Sequence, residues 1–193
     1  MSTHRYCTTL IALIGLAAFA LPAMAHDGHH PDAPNPSPNA TVSQEVGYGN
    51  VTIEYGRPGV KGREGKIWGD LVKPGDDPRP WSGGANGNAV ITFAEDVKIN
   101  GKDLAAGSYG LLVDAGEGTW TFIFSKNAKK LGIMSYKSEN DALRVDAKVE
   151  KAEPQEWLAY EFEKTGELTA TVNLHWENVI AGFTIEAPDH REK

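Results

Sequence analysis

The 193-residue sequence predicts an all-β fold: one domain built as an antiparallel β-sandwich of about nine or ten strands, carrying one long Gly-rich loop. Three observations carry that prediction. Apolar and polar residues alternate with a period of two along most of the chain. Turn residues break that alternation at short intervals, with 21 Gly and 11 Pro in all. No stretch shows a convincing amphipathic helical period.

The chain opens with an export pattern. His4 and Arg5 precede a short apolar stretch, Leu10 to Leu21, and Ala23-Met24-Ala25 supplies small residues for signal peptidase. Residues 1–25 are therefore expected to be a signal peptide, with His26 as the mature N-terminus and a periplasmic or secreted location. The apolar stretch is shorter than the roughly 20 residues that span a bilayer, and no later run approaches that length. No membrane span is expected after cleavage. Cys7 is the only cysteine and lies ahead of the apolar stretch, so the mature chain has no disulfide, no thiol chemistry and no Cys-based metal site. Residues 26–40 hold Pro, Asn, Asp and His with almost nothing to bury, and read as a flexible His/Pro-rich tail. The sandwich is expected over 41–187, followed by a C-terminal tail at 188–193.

Within it, Val51, Ile53 and Tyr55 alternate with Thr52 and Glu54. Asn100-Gly101, the strongest short hairpin signal, joins Val97–Ile99 to Lys102–Leu104. Tyr109–Val113 and Trp120–Phe124 are dense apolar runs that suit central strands, with Gly116-Glu117-Gly118 turning between them. Leu143 to Val149 alternates. Thr165-Gly166 separates strands at 157–163 and 167–176, and Asn178 is expected to turn the chain into a last strand at Phe183–Glu186. The expected core includes Leu111, Val113, Phe122, Phe124, Tyr160, Phe162, Val172, Leu174 and Trp176.

Residues 57–88 break the rhythm. They contain eight Gly and four Pro, with only Ile67–Leu71 able to form a short strand. A connection this long is uncommon in a compact domain and is usually functional or disordered, and Trp68 and Trp81 argue for order. The loop is net +2 on a chain of net charge −7. That overall acidity argues against a nucleic-acid partner, since phosphate neutralisation needs clustered Lys and Arg.

Arg57-Pro58-Gly59-Val60-Lys61-Gly62-Arg63, Gly84-Ala85-Asn86 after Trp81, Ile99–Tyr109, Trp120–Phe124 and Asp141–Val145 together resemble bacterial domain-of-unknown-function family 2911. The resemblance spans about residues 41–187. It implies an exported all-β protein, and carries over no catalytic residue. Where the family usually has Arg-Thr after the Trp and Glu-Ala after the Asn, this chain has Ser82-Gly83 and Gly87-Asn88.

Two functional readings follow from the residues. The first is a non-catalytic binding module. Arg57, Lys61 and Arg63 would supply charge, Trp68 or Trp81 an apolar wall, and Asn86 a further contact, for a small-molecule, anionic or carbohydrate ligand. Gly59, Gly62 and Gly65 would let a ligand approach the backbone closely. The alternative is a metal-dependent or hydrolytic enzyme of the cell envelope. His175, with Glu177 expected on the same strand face, is a candidate general base. Asp141 and Arg144 are a candidate pair whose default is a surface salt bridge, and Trp157 is a candidate stacking surface. No cofactor is expected, although the N-terminal His26, with His29 and His30, offers imidazoles suited to Cu or Zn. No catalytic constellation is visible, which favours the binding module.

Overall fold

The computed structural model describes residues 34–73, 80–128 and 136–192. They form ten strands in two antiparallel sheets. In chain order these are β1 (Asn39–Val46), β2 (Gly49–Gly56), β3 (Ala85–Phe93), β4 (Val97–Ile99), β5 (Lys102–Leu104), β6 (Gly107–Ala115), β7 (Thr119–Ser125), β8 (Asp141–Lys148), β9 (Glu150–Lys164) and β10 (Thr169–Glu186). One sheet has the order β1-β2-β3-β6-β7-β8 and the other β5-β4-β10-β9. The arrangement is a β-sandwich, as the alternation predicts.

The core lies between the inward faces. Ile53, Ile91, Leu111, Val113, Phe122 and Phe124 come from the larger sheet. Leu158, Tyr160, Val172, Leu174, Trp176, Phe183 and Ile185 come from the smaller. Dense β6 and β7 are central in the larger sheet, and their Leu112 and Ile123 are buried as well. The β4–β5 hairpin turns through Asn100 (φ 47°) and Gly101 (φ 77°). Two successive positive φ values are what a tight hairpin matching strand twist requires.

The structure corrects five expectations. Asn178 does not turn the chain: β10 runs unbroken from Thr169 to Glu186, and the pairing with β9 shifts register on both sides of Glu177, which has φ 58°. A bulge kinks one long strand where a turn was expected. Ile67–Leu71 forms no strand; Val72 N bonds Ile67 O at 2.8 Å, closing a tight turn that buries Ile67 and Val72. Phe162 is only partly buried, packed against the core rather than within it. The sandwich begins at Asn39, inside the expected tail, and β3 begins at Ala85, inside the expected loop. The C-terminal residues form a short 3-10 turn, His190–Glu192, with Arg191 bonded to Asp189 at 2.9 Å and Glu167 at 3.2 Å.

Candidate functional site

The long loop joins β2 to β3 of the larger sheet and, on the way, reaches the edge strand β9 of the smaller sheet. Pro58–Val60 runs along the outer edge of β9, with Val60 N to Glu156 O at 2.8 Å and Leu158 N to Pro58 O at 3.0 Å. Those bonds pair part of a strand edge that would otherwise be open. On the return, Trp81 exchanges two backbone bonds with Val113 of β6, at 2.7 and 2.8 Å. Gly83 (φ 67°) then bends the chain into β3, and its carbonyl accepts the Tyr160 hydroxyl at 2.8 Å. A Cβ at Gly83 would lie 2.6 Å from the Leu111 carbonyl, so the bend needs glycine for space as well as for φ. Tyr160 is fully buried, and that burial, with the neighbouring Tyr55, pushes its phenol far above the usual range.

Four indoles fasten the loop. Trp68 and Trp81 come from the loop, Trp120 from β7 and Trp176 from β10. Trp68 lies 4.5 Å from Trp120 and 5.8 Å from Trp176, and Trp81 stacks on Trp176 at 6.0 Å. Each such pair adds about 0.5–1.5 kcal/mol beyond its buried area. Trp68 Nε1 and Trp176 Nε1 are buried with no hydrogen-bond acceptor among the described residues.

Beside this cluster lies a pocket of about 250 Å³, lined by Trp68, Gly69, Val72, Ala115, Gly116, Glu117, Gly118, Trp120, Val149 and Val179. The loop supplies one wall and the β6–β7 turn the other. Two indoles and four Val or Ala side chains make apolar faces, and three glycines bring backbone to the rim. Glu117, exposed on the turn, is the one ionisable group among the described lining residues.

The expected cations do not line this pocket. Arg57 Nε donates to Leu158 O at 2.8 Å. Arg63 donates to Val60 O at 2.9 Å and Gly59 O at 2.6 Å, closing the loop on itself. Lys61 Nζ donates to Pro36 O at 2.6 Å and sits 5.2 Å from the Trp157 ring centroid. Asn86, with φ 62°, donates to Ser37 O at 2.6 Å. The Lys61 and Asn86 side chains therefore meet at the segment that leads into β1, joined by the Arg57 backbone N–H, while the Arg57 guanidinium lies on β9. The single composite site expected from sequence is divided between Trp68 at the pocket, Trp81 inside the indole cluster, and these donors at the β1 entry.

A second pocket, about 280 Å³, lies between the loop and the β9–β10 bulge and is lined by Val60, Glu64, Gly65, Pro154, Gln155, Glu156, Glu177 and Asn178. Here the His175–Glu177 pairing fails. The bulge turns Glu177 inward to 7 % exposure, where it accepts the Gly65 N–H, while His175 Nε2 lies 2.9 Å from the Glu153 carbonyl oxygen. Glu156 accepts the Lys61 N–H at 3.0 Å. Both carboxylates thus clasp loop backbone. The bulge had no sequence signal, since a left-handed Glu is unmarked in an alternating strand.

Asp141 and Arg144 do meet, at 3.0 Å, and Tyr136 joins them with its hydroxyl 2.9 Å from Asp141. Burial, and then the bond to Asp141, raise the Tyr136 phenol. Sequence reading missed Tyr136 because its alignment with Asp141 depends on the path into β8. Among the described residues no three His, Cys, Asp or Glu side chains form a metal-binding group. His26, His29 and His30 lie outside the described residues.

A two-sheet antiparallel sandwich with an indole-anchored loop defines the class: an all-β domain. The chain belongs to the family described as protein of unknown function (DUF2911), whose model matches residues 37–185. No curated protein and no solved structure matches it.

Proposed function

We propose that this is an exported, non-catalytic ligand-binding module whose long loop forms one wall of a carbohydrate pocket. The observation that carries the reading is the pocket between the loop at Trp68 and the β6–β7 turn. Trp68, partly exposed and backed by the buried Trp120, offers an apolar surface to the C–H face of a sugar ring, and Glu117 with the Gly116 and Gly118 backbone offers polar partners to its hydroxyls. A carbohydrate fits better than an anion, because Arg57, Lys61 and Arg63 all point elsewhere and the pocket's ionisable group is a carboxylate. Glycoside hydrolysis uses two carboxylates flanking the bond, and the described lining supplies one, which favours binding over turnover.

The alternative, a metal-dependent or hydrolytic enzyme, draws on the pocket at Glu64, Glu156 and Glu177. Against it, Glu156 and Glu177 are already committed to loop N–H groups. Cu or Zn at the His26 tail stays a separate proposal, read by whether the metal raises the melting temperature. The deciding experiment is a thermal-shift screen against envelope glycans, followed by calorimetric titration of hits on wild type, Trp68→Phe and Glu117→Ala. A glycan that binds wild type and is lost in Glu117→Ala supports the pocket. Hits that bind all three proteins equally place binding elsewhere.

A further inference from the structure

We propose that Lys61, Asn86 and the Arg57 backbone form a cradle for a proline-containing peptide segment, which residues 36–38 occupy in cis. Three successive carbonyls of one short segment are each taken by a different donor. Pro36 O accepts Lys61 Nζ at 2.6 Å, Ser37 O accepts Asn86 Nδ2 at 2.6 Å, and Pro38 O accepts Arg57 N at 2.8 Å. The donors come from three places: the loop, the start of β3, and the end of β2. The third bond continues the β1–β2 ladder beyond Asn39 and Gly56. The first two are side-chain bonds that no ladder requires.

The segment itself suits such a cradle. Pro36 and Pro38 have no N–H and fixed φ, so they lose little freedom on docking and offer carbonyls only. Asn35 Oδ1 accepts the Ser37 N–H at 2.9 Å, an Asx turn that presets the bend. Yet Pro36 and Pro38 are exposed and Ser37 is only partly buried. What holds the strap is three bonds and its tether.

The cradle also offers more than the strap uses. Trp157 stands beside it, 36 % exposed, with Lys61 Nζ over its ring. Proline-rich partners dock on exposed aromatic rings of this kind. The partner we infer is thus a proline-containing segment of another chain that replaces residues 36–38 and adds a contact to Trp157. The tethered strap competes at high effective concentration. A partner therefore binds in proportion to the fraction of molecules with the strap released. This inference does not depend on the Trp68 pocket.

The test uses the mature full-length chain and a labelled synthetic peptide spanning residues 33–40, followed by fluorescence anisotropy. Replacing Pro36 and Pro38 by Gly loosens the strap. The double variant should bind the peptide saturably and about tenfold more tightly than wild type. Adding Lys61→Ala and Asn86→Ala should abolish binding. Absence of saturable binding to a double variant that melts like wild type overturns the proposal, as does binding that survives loss of Lys61 and Asn86. On wild type, millimolar peptide should speed hydrogen exchange at Ser37 and Asn39 while leaving β6 and β7 unchanged. No change at Ser37 and Asn39 would equally overturn it.

Discussion

Tyr160→Phe isolates the bond that ties the loop's return to the core. The phenol is fully buried and donates to Gly83 O at 2.8 Å, and its ring meets Tyr55 edge-on at 4.9 Å. Phenylalanine keeps the ring and removes the donor, so a buried carbonyl is left unsatisfied. The expected cost at neutral pH is about 1–3 kcal/mol. For a domain of this size that lowers the melting temperature by roughly 2–4 °C per kcal/mol. The same residue predicts a pH signature. Burial, with the neighbouring Tyr55, raises its folded-state pKa above the usual tyrosine value of about 10. The stability it contributes is complete below pH 10 and is lost as pH rises beyond, because the unfolded chain gives up the proton first. Each pH unit above 10 should cost wild type about 1.4 kcal/mol that Tyr160→Phe does not lose. By pH 12 that amounts to roughly 2.7 kcal/mol, so the two stability curves should converge. Urea denaturation of both proteins from pH 7 to 12 measures this. A neutral-pH difference below about 0.5 kcal/mol, or curves that stay parallel above pH 10, would refute the reasoning.

Three further outcomes follow from the same geometry. Gly83→Ala places a Cβ against the Leu111 carbonyl and the Tyr160 hydroxyl at positive φ, and should cost at least about 3 kcal/mol in chemical denaturation; a cost near 1 kcal/mol would mean the bend relaxes freely. Glu177→Ala removes the acceptor of the Gly65 N–H and should cost about 1.5–3 kcal/mol, whereas Glu177→Gln, which keeps an acceptor, should cost clearly less; equal losses in the two would show that the clasp is not the cause. Mass spectrometry of the exported protein should find His26 at the N-terminus and no lipid, and a retained Met1 would refute the export reading.

Most of the sandwich is legible in the sequence because the period-two pattern and the Asn100-Gly101 turn are local signals. β1 is not, because NATVSQEV is a polar edge strand whose inward positions are mostly half-buried and leave little alternation to detect. The continuity of β10 is hidden for a different reason. A strand and a turn differ there by one residue's φ, and Glu177 carries no glycine or proline to mark it. The candidate site was legible only in pieces. Trp68 at a pocket wall follows from an aromatic in a long ordered loop. The fate of the cations does not follow, since Arg57 and Lys61 find neutral carbonyls 101 and 25 positions away. Net charge counts the guanidinium and ammonium groups but says nothing of where they point.

Calorimetric titration of envelope glycans into wild type and Glu117→Ala tests the pocket between Trp68 and the β6–β7 turn directly. Glu117 is exposed, so its replacement should shift stability by no more than about 0.5 kcal/mol. At least one glycan should bind wild type saturably, and Glu117→Ala should weaken that binding tenfold or more at unchanged melting temperature. Glycan binding of equal strength in both proteins, or none across the panel, would contradict the carbohydrate-pocket reading.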